Sequence, residues 1–316
     1  MVALPHYLSV SLLRSLVVFL VACSPAKVTV GPQPPLNAAD ADAGASSLDT
    51  AAAGPQDATL TEGTVDVSSA KDAEDAKTDE PDTGADVAAP PDTASAPQKI
   101  LFIGNSYTYV NDLPAMTAQF AAHAVPAQTW QVTSVTLGGA RLIDHLTKTD
   151  AVAQIQQASA SWVVLQGQSL EPAVDQAGFL QGAKALAKEV HATKAQLAYY
   201  TTWPRKAGDA LYAQAWSGGN PTALYSKLKS ATQLAADQTK GVRVPVADAW
   251  MAALAAHPEV DLYQADGSHP SVAGTYLAAC VFARTLAGVD ASTVTWRPEG
   301  LAESAAVALR QVCQEQ

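Results

Sequence analysis

The sequence has few of the residues on which several common functions depend. Only three of its 316 residues are cysteine, and neither a Cys-x-x-Cys nor a His-x-x-x-His spacing occurs. The usual sequence patterns of a zinc site are therefore absent. Basic residues are also scarce, with 19 Lys and Arg against 30 Asp and Glu and a net charge of −11. Because no basic stripe is present, nucleic-acid binding has no electrostatic support.

The N-terminal apolar segment is too short to span a bilayer comfortably. It covers residues 8–22 and contains Arg14 and three serines. It ends in Leu-Val-Ala before Cys23, which resembles the bacterial lipoprotein cleavage box. The resemblance implies a signal peptide over residues 1–22 and lipidation of the Cys23 thiol; the alternative is an ordinary secretory signal with a chance cysteine. We therefore expect an exported protein anchored to the bacterial envelope, at the outer membrane or the cell surface.

Residues 23–98 lack aromatic side chains altogether. From residue 24 onward this segment carries 14 acidic side chains and only three lysines. So little large apolar surface cannot offset the entropy of ordering the chain, and like charges extend it. We expect a disordered tether that follows the lipidated cysteine. Residues 99–316 carry 15 basic and 16 acidic side chains and are long enough for one sizeable core, so they form the predicted folded domain.

Five strand-like apolar runs alternate with helical stretches in this domain. The predicted strands cover residues 100–103, 130–136, 162–166, 196–201 and 242–246. The predicted helices cover residues 113–124, 151–160, 173–191, 221–239, 247–256, 272–287 and 300–313. Short buried strands that are each followed by a helix are typical of an α/β fold with a parallel sheet covered on both faces. In such sheets, ligands bind beyond the carboxyl ends of the strands.

Two segments of the domain combine a hydroxyl, an imidazole and a carboxylate. Ser106 follows the first strand in the sequence Gly104-Asn105-Ser106, at the edge where a ligand is expected. Asp266 and His269 lie three residues apart, ahead of a predicted helix. A serine hydroxyl becomes a good nucleophile when a base takes its proton, and a carboxylate can orient that base. Each segment alone is also compatible with ordinary turn chemistry or a surface histidine.

Two further segments offer hydrogen-bond donors for an oxyanion. The second strand is followed by Gly138-Gly139, whose backbone N–H groups can approach a ligand closely. The third strand is followed by Gln166-Gly167-Gln168, whose side-chain amides can donate without adding charge. The alternative for the glycine pair is a structural strand-to-helix turn, and the alternative for the glutamine segment is a loop cap.

Taken together, the four segments resemble the SGNH (GDSL-like) hydrolase superfamily, in its Gly-Asn-Ser variant, over nearly all of residues 99–316. The resemblance implies a three-layer α/β/α, flavodoxin-like domain with a five-stranded parallel sheet. It implies Ser106 as the nucleophile, His269 as the base and Asp266 as the orienting carboxylate, with no metal ion or organic cofactor. The implied oxyanion donors are Ser106, Gly139 and Gln168, with Gly138 and Gln166 as alternates.

The third segment departs from the superfamily pattern. It reads Gln166-Gly167-Gln168-Ser169 where the superfamily usually has Gly-x-Asn-Asp, and Asn105 replaces the usual Asp of the first segment. The resemblance implies a serine ester hydrolase for carbohydrate or other acyl esters, of deacetylase type, at the cell envelope. The altered third segment keeps an alternative open, in which a glycan-binding envelope lipoprotein uses the same fold with little or no turnover.

Other residues have two interpretations each. Cys280 and Cys313 lie on two predicted helices, either as a disulfide or as separately buried thiols. Trp203 follows the fourth strand and either shapes a substrate cleft or packs structurally. Tyr107 either lines the site or packs the first loop, and His145 is interpreted as a structural histidine rather than a second base.

Overall fold

The structure is a computed structural model that describes residues 97–316. The predicted signal peptide, Cys23 with its predicted lipid, and nearly all of the predicted tether therefore lie outside the described residues. Between residues 97 and 316, no helix is both long enough and apolar enough to cross a bilayer.

A sheet of five parallel strands forms the centre of the domain. The strands are β1 (Gln98–Gly104), β2 (Trp130–Thr136), β3 (Trp162–Leu165), β4 (Gln196–Tyr200) and β5 (Val242–Val244). Their order in the sheet is β2-β1-β3-β4-β5, a doubly wound order in which ligands bind beyond the carboxyl ends of the strands. The register places Gly104 opposite Thr136 and Ile103 opposite Leu165, so β1, β2 and β3 end side by side at one edge.

Helices cover both faces of this sheet. They are α1 (Ser106–Tyr109), α2 (Leu113–Ala122), α3 (Ala151–Gln157), α4 (Glu171–Val174), α5 (Gln176–His191), α6 (Pro221–Thr239), α7 (Val246–Ala256), α8 (Val272–Ala287) and α9 (Glu303–Gln314). One hydrophobic core contains side chains of α2, α7, α8 and α9, and the other contains side chains of α3, α5 and α6. The predicted three-layer α/β/α fold is confirmed.

The apolar run in β1 serves both cores. Ile100 and Phe102 belong to the first core, and Leu101 and Ile103 belong to the second. Successive strand residues point to opposite faces, so a strand that is covered on both sides is apolar throughout rather than alternating. This is why a continuous run of four apolar residues was a reliable signal for a central strand.

The prediction of a single helix over residues 173–191 is wrong. The chain forms α4 and α5 instead, because Asp175 ends α4 and caps α5. The Asp175 carboxylate accepts a hydrogen bond from the backbone N–H of Gly178 at 2.9 Å. Such a cap satisfies a helix N–H group that has no partner within the helix.

Several strands and helices begin or end at residues other than the predicted ones. β5 ends at Val244, two residues before its predicted end, because Pro245 has no N–H group to continue the ladder. The last helix begins at Glu303, and Gly300, its predicted first residue, has φ +81, which is not helical. β1 begins at Gln98, one residue before the predicted start of the domain.

A disulfide joins α8 to α9. It links Cys280 to Cys313, and both residues are fully buried in the core on that face. This resolves the pairing that the sequence left open, in favour of a bridge rather than two separate thiols. Such a bridge is compatible with the oxidising compartment expected of an exported protein.

Removing this disulfide is expected to destabilise the domain by about 4 kcal/mol, because a bridge restricts the unfolded chain between two cysteines. The two cysteines are 33 residues apart. The free energy of unfolding in urea should fall by a similar amount in Cys280→Ala, in Cys313→Ala and in the double variant, since either change removes the bridge. A double variant that loses as much as the two single variants summed would contradict this account.

Candidate active site

The turn that carries Ser106 begins where β1 ends. Asn105 caps the short helix α1, because its Oδ1 accepts a hydrogen bond from the backbone N–H of Tyr107 at 3.1 Å. The Asn105 Nδ2 donates to the carbonyl oxygen of Ala140 at 3.1 Å, which ties this turn to the loop that follows β2. Ser106 is thereby held at the carboxyl edge of the sheet, with 7% of its surface exposed.

Ser106, His269 and Asp266 form one hydrogen-bonded chain. The Ser106 Oγ lies 2.9 Å from His269 Nε2, and His269 Nδ1 lies 2.5 Å from Asp266 Oδ2. With a proton on Nδ1 directed at the carboxylate, Nε2 presents its lone pair to the serine hydroxyl. This is the arrangement that a general base needs in order to take the serine proton.

Hydrogen bonds keep the Asp266 carboxylate ionised. Partial burial raises the pKa of Asp266, but a hydrogen bond from the His269 side chain and two from backbone N–H groups outweigh burial and hold that pKa below its usual range. The two N–H groups are those of Ser268 and His269, which donate to Oδ1 at 2.9 and 3.0 Å. An ionised carboxylate stabilises the imidazolium that forms when the serine loses its proton.

A tight turn presents His269 at the surface. Gly267 has φ +68, in the left-handed region that favours glycine. The backbone N–H of Gly267 donates to Gln264, and that of Gln264 donates to the carbonyl of His269 at 2.8 Å. The side chains of His269 and Asp266 are 20% and 46% exposed, so a substrate can approach the imidazole from solvent.

The predicted oxyanion glycines lie on the loop that follows β2. The backbone N–H of Leu137 donates to the carbonyl of Gly104 at 3.1 Å, so this loop starts beside the turn of the serine. Gly139 is exposed, has φ +65, and has no atom from beyond its two chain neighbours within 4 Å of the position that a Cβ would occupy. Gly138 is half-buried. The backbone of Gly139 is therefore the more accessible of the two to a ligand.

The two candidate glutamines occupy different environments. Gln166 is fully buried, and its Nε2 donates to Asn105 Oδ1 at 2.8 Å and to the carbonyl of Gly167 at 2.5 Å. Both amide hydrogens of Gln166 are thus already used. Gln168 is half-buried, and its Oε1 accepts a hydrogen bond from the backbone N–H of Leu170 at 2.8 Å. The buried Gln166 amide therefore supports the turn that carries Ser106, through its hydrogen bond to Asn105.

One solved structure identifies the family. A protein from Slackia heliotrinireducens that is described as an SGNH hydrolase is 32% identical to this chain, with a TM-score of 0.53; the match covers 60% of this chain and 100% of that chain. The chain belongs to the SGNH hydrolases. A DUF4886 family protein from Bacteroides uniformis shares the fold of this SGNH hydrolase at 16% identity and a TM-score of 0.56, over 70% of this chain and 94% of that one. No protein-family model and no curated protein matches the sequence.

A buried carboxylate in this SGNH hydrolase has no clear signal in the sequence. Glu171, the first residue of α4, is only 3% exposed. Its Oε2 accepts hydrogen bonds from the backbone N–H of Gln168 at 3.0 Å and that of Leu142 at 3.3 Å, which follow β3 and β2 respectively. Its Oε1 has no partner among the described residues. In the sequence, an acidic residue at a helix start indicates only a favourable position in the helix dipole.

Burial raises the pKa of Glu171 to about 7, and Asp175 adds to the rise, against the opposing effects of the two backbone N–H groups and Arg141. The folded SGNH hydrolase therefore keeps this proton up to about pH 7, whereas the unfolded chain loses it near pH 4.5. Because the folded state binds the proton more tightly, protonated Glu171 stabilises the fold at low pH. This stabilisation is lost as pH rises from 4.5 to about 7.

Glu171→Gln is expected to remove this pH dependence. The difference in the free energy of unfolding, variant minus wild type, should rise by roughly 3 kcal/mol between pH 4 and pH 8. The glutamine Oε1 can still accept from both backbone N–H groups, so the loops stay joined. Urea unfolding of both proteins at several pH values measures this difference, and a difference that does not change with pH would contradict it.

Several residues with two interpretations are now placed. Trp203 is fully buried and stacks on Trp250 with ring centroids 3.7 Å apart, so it packs structurally rather than shaping a cleft. Tyr107 is 2% exposed and also packs. His145 is fully buried, with Nδ1 3.2 Å from Thr149 Oγ1, and burial lowers its pKa, so a neutral structural role is favoured. In the described part of the chain, no group of three or more His, Cys, Asp or Glu side chains is arranged to hold a metal ion.

Proposed function

We propose that this SGNH hydrolase is a serine ester hydrolase in which Ser106 is the nucleophile, His269 the base and Asp266 the orienting carboxylate. The observation that carries the proposal is the unbroken hydrogen-bonded chain of these three side chains, at 2.9 and 2.5 Å. His269 Nε2 takes the serine proton as Oγ attacks the acyl carbon, and the carbonyl electron pair moves to oxygen. Collapse expels the alcohol, which takes the proton from Nε2. Water then repeats the two steps and releases the acid.

The oxyanion is proposed to be held by the backbone N–H groups of Ser106 and Gly139 and by the side-chain amide of Gln168. Gln168 is preferred over Gln166 because Gln168 is half-buried and so nearer to solvent, whereas Gln166 is fully buried. Gly139 is preferred over Gly138 because its backbone is exposed and in an open position. Donors fixed before the reaction stabilise the developing charge without a cost of reorganisation.

The proposed substrates are carbohydrate or other acyl esters, with acetyl groups on glycans as the leading class. A small acyl group suits a nucleophile of which 7% is exposed.

The proposed site of action is the bacterial envelope, where lipidated Cys23 would hold the enzyme close to glycan polymers. Metabolic labelling with a palmitate analogue tests the anchor. Label should enter the wild-type protein but not Cys23→Ser, and an unlabelled wild type would refute the anchor.

The activity is tested with short-chain p-nitrophenyl esters and acetylated glycans. The wild type is expected to hydrolyse the acetyl ester, and Ser106→Ala should lower kcat by at least about 10³-fold. Ser226→Ala is the matched control, because Ser226 lies exposed on α6, where its hydroxyl only donates to the carbonyl of Thr222. A wild type that binds acetylated glycans without releasing acetate would support the glycan-binding alternative and overturn the hydrolase.

A further inference from the structure

The residues beside the nucleophile and beside the base are hydrogen-bonded to each other. Tyr107 directly follows Ser106, and Ser268 directly precedes His269. The Tyr107 hydroxyl oxygen lies 2.9 Å from Ser268 Oγ, and the two residues are only 2% and 8% exposed. This buried contact joins the two turns that carry the reacting groups, although they are far apart in the sequence.

The Arg205 side chain contacts the same Tyr107 hydroxyl. Its Nη1 donates to the Tyr107 hydroxyl oxygen at 2.5 Å, and a guanidinium group can only donate. The Tyr107 oxygen therefore accepts from Arg205, while either hydroxyl can be the donor in its contact with Ser268 Oγ. A hydrogen bond from a charged donor is stronger than one between neutral groups, so Arg205 helps to hold the Tyr107 hydroxyl beside Ser268.

Aromatic packing holds the same contact rigid. The Tyr107 ring stacks on Trp203 with centroids 4.7 Å apart and an interplanar angle of 13°. Trp203 stacks in turn on Trp250, and its Nε1 donates to the carbonyl of Ser268 at 3.1 Å. Ser268 is thus held at two points, because its hydroxyl contacts the Tyr107 hydroxyl and its carbonyl accepts from Trp203.

We propose that Tyr107 is a positioning residue that, with Arg205 behind it and Ser268 in front, keeps His269 Nε2 in hydrogen-bond contact with Ser106 Oγ. The imidazole needs such support because its side chain is 20% exposed and lies on a surface turn. Misplacement of a reacting group by about 1 Å can cost roughly 100-fold in rate. The proposal rests on the proposed function, since it concerns the nucleophile and base of that reaction.

A double-mutant cycle tests the positioning role. Tyr107→Phe keeps the stacked ring, and Ser268→Ala keeps the backbone carbonyl that accepts from Trp203. Each variant is expected to lower kcat for p-nitrophenyl acetate by about 10- to 100-fold and to change KM by less than about threefold, because the binding surface is intact. The double variant should be no slower than the slower single variant, since both changes remove the same hydrogen bond. Losses that multiply, or an unchanged kcat in either single variant, would overturn the proposal.

A matched pair on the opposite face of the sheet provides the control. The Tyr199 hydroxyl oxygen lies 2.9 Å from Thr239 Oγ1, and this contact is also buried. Tyr199→Phe and Thr239→Val should lower the melting temperature about as much as the first pair but leave kcat unchanged. A comparable fall of kcat in the control pair would show that any lost buried hydrogen bond slows the enzyme, and the positioning role would be rejected.

Crystal structures of the wild type and Tyr107→Phe separate this proposal from the proposed function. The distance between Ser106 Oγ and His269 Nε2 is 2.9 Å here and should lengthen in the variant. An unchanged distance would count against positioning even if the enzyme is active. A displaced imidazole in a protein without esterase activity would support positioning and reject the esterase.

Discussion

Replacing His269 with alanine is expected to lower kcat for an acetyl ester by a factor on the order of 10⁴ to 10⁶, with KM changed by less than about threefold. The imidazole is the only basic group in hydrogen-bond contact with Ser106 Oγ among the described residues. Without it, the serine hydroxyl would have to attack while still carrying its proton. Steady-state kinetics of the purified variant measure the loss.

His257→Ala is the matched control for this prediction. His257 also pairs with a carboxylate, since its Nδ1 lies 3.3 Å from Glu259 Oε1, but no serine hydroxyl of residues 97–316 contacts it. Its replacement should leave kcat unchanged. A His269→Ala variant that keeps more than about a tenth of the wild-type kcat would contradict the assignment of the base.

Replacing Asp266 with asparagine is expected to lower kcat by roughly 10²- to 10⁴-fold. An asparagine amide can donate to His269 Nδ1, which would force the imidazole proton onto Nε2. Nε2 would then have no lone pair for the proton of Ser106. Because the Asp266 side chain is 46% exposed, solvent can partly replace its charge, and the effect should be smaller than that of His269→Ala.

Asp261→Asn tests whether this loss follows from the lost charge alone. Asp261 is 62% exposed and pairs with Lys206. Its replacement removes the same charge in the same part of the chain and should change kcat by less than about twofold, as for most exposed ion pairs. Equal losses in both variants would show that local charge, rather than the orientation of His269, accounts for the effect.

The sheet and the position of Ser106 at its edge could be predicted because both depend on local patterns. Continuous apolar runs identified the strands, and Ser106 directly follows the first of them. Parallel strands end at a common edge, so residues after β1, β2 and β3 were expected to meet. The spacing of Asp266 and His269 is equally local, since three residues in one turn suffice to join them.

Contacts made by side chains at long range could not be predicted in the same way. The resemblance favoured Gln168 over Gln166, but it gave no sign that Gln166 is fully buried and hydrogen-bonded to Asn105. The hydrogen bond between Tyr107 and Ser268 spans 161 residues and has no local signal. Glu171 gave only a helix-start signal, because its burial results from packing of loops that follow different strands.

The central claim is that Ser106 is an activated nucleophile, and covalent labelling with a fluorophosphonate tests it most directly. Intact-mass and peptide mass spectrometry of the treated protein should show one adduct, located on Ser106. The adduct should be absent from Ser106→Ala and should form far more slowly in His269→Ala, whereas Ser226→Ala should label like the wild type. A correctly folded wild-type protein that stays unlabelled, or that is labelled only at another residue, would contradict the account.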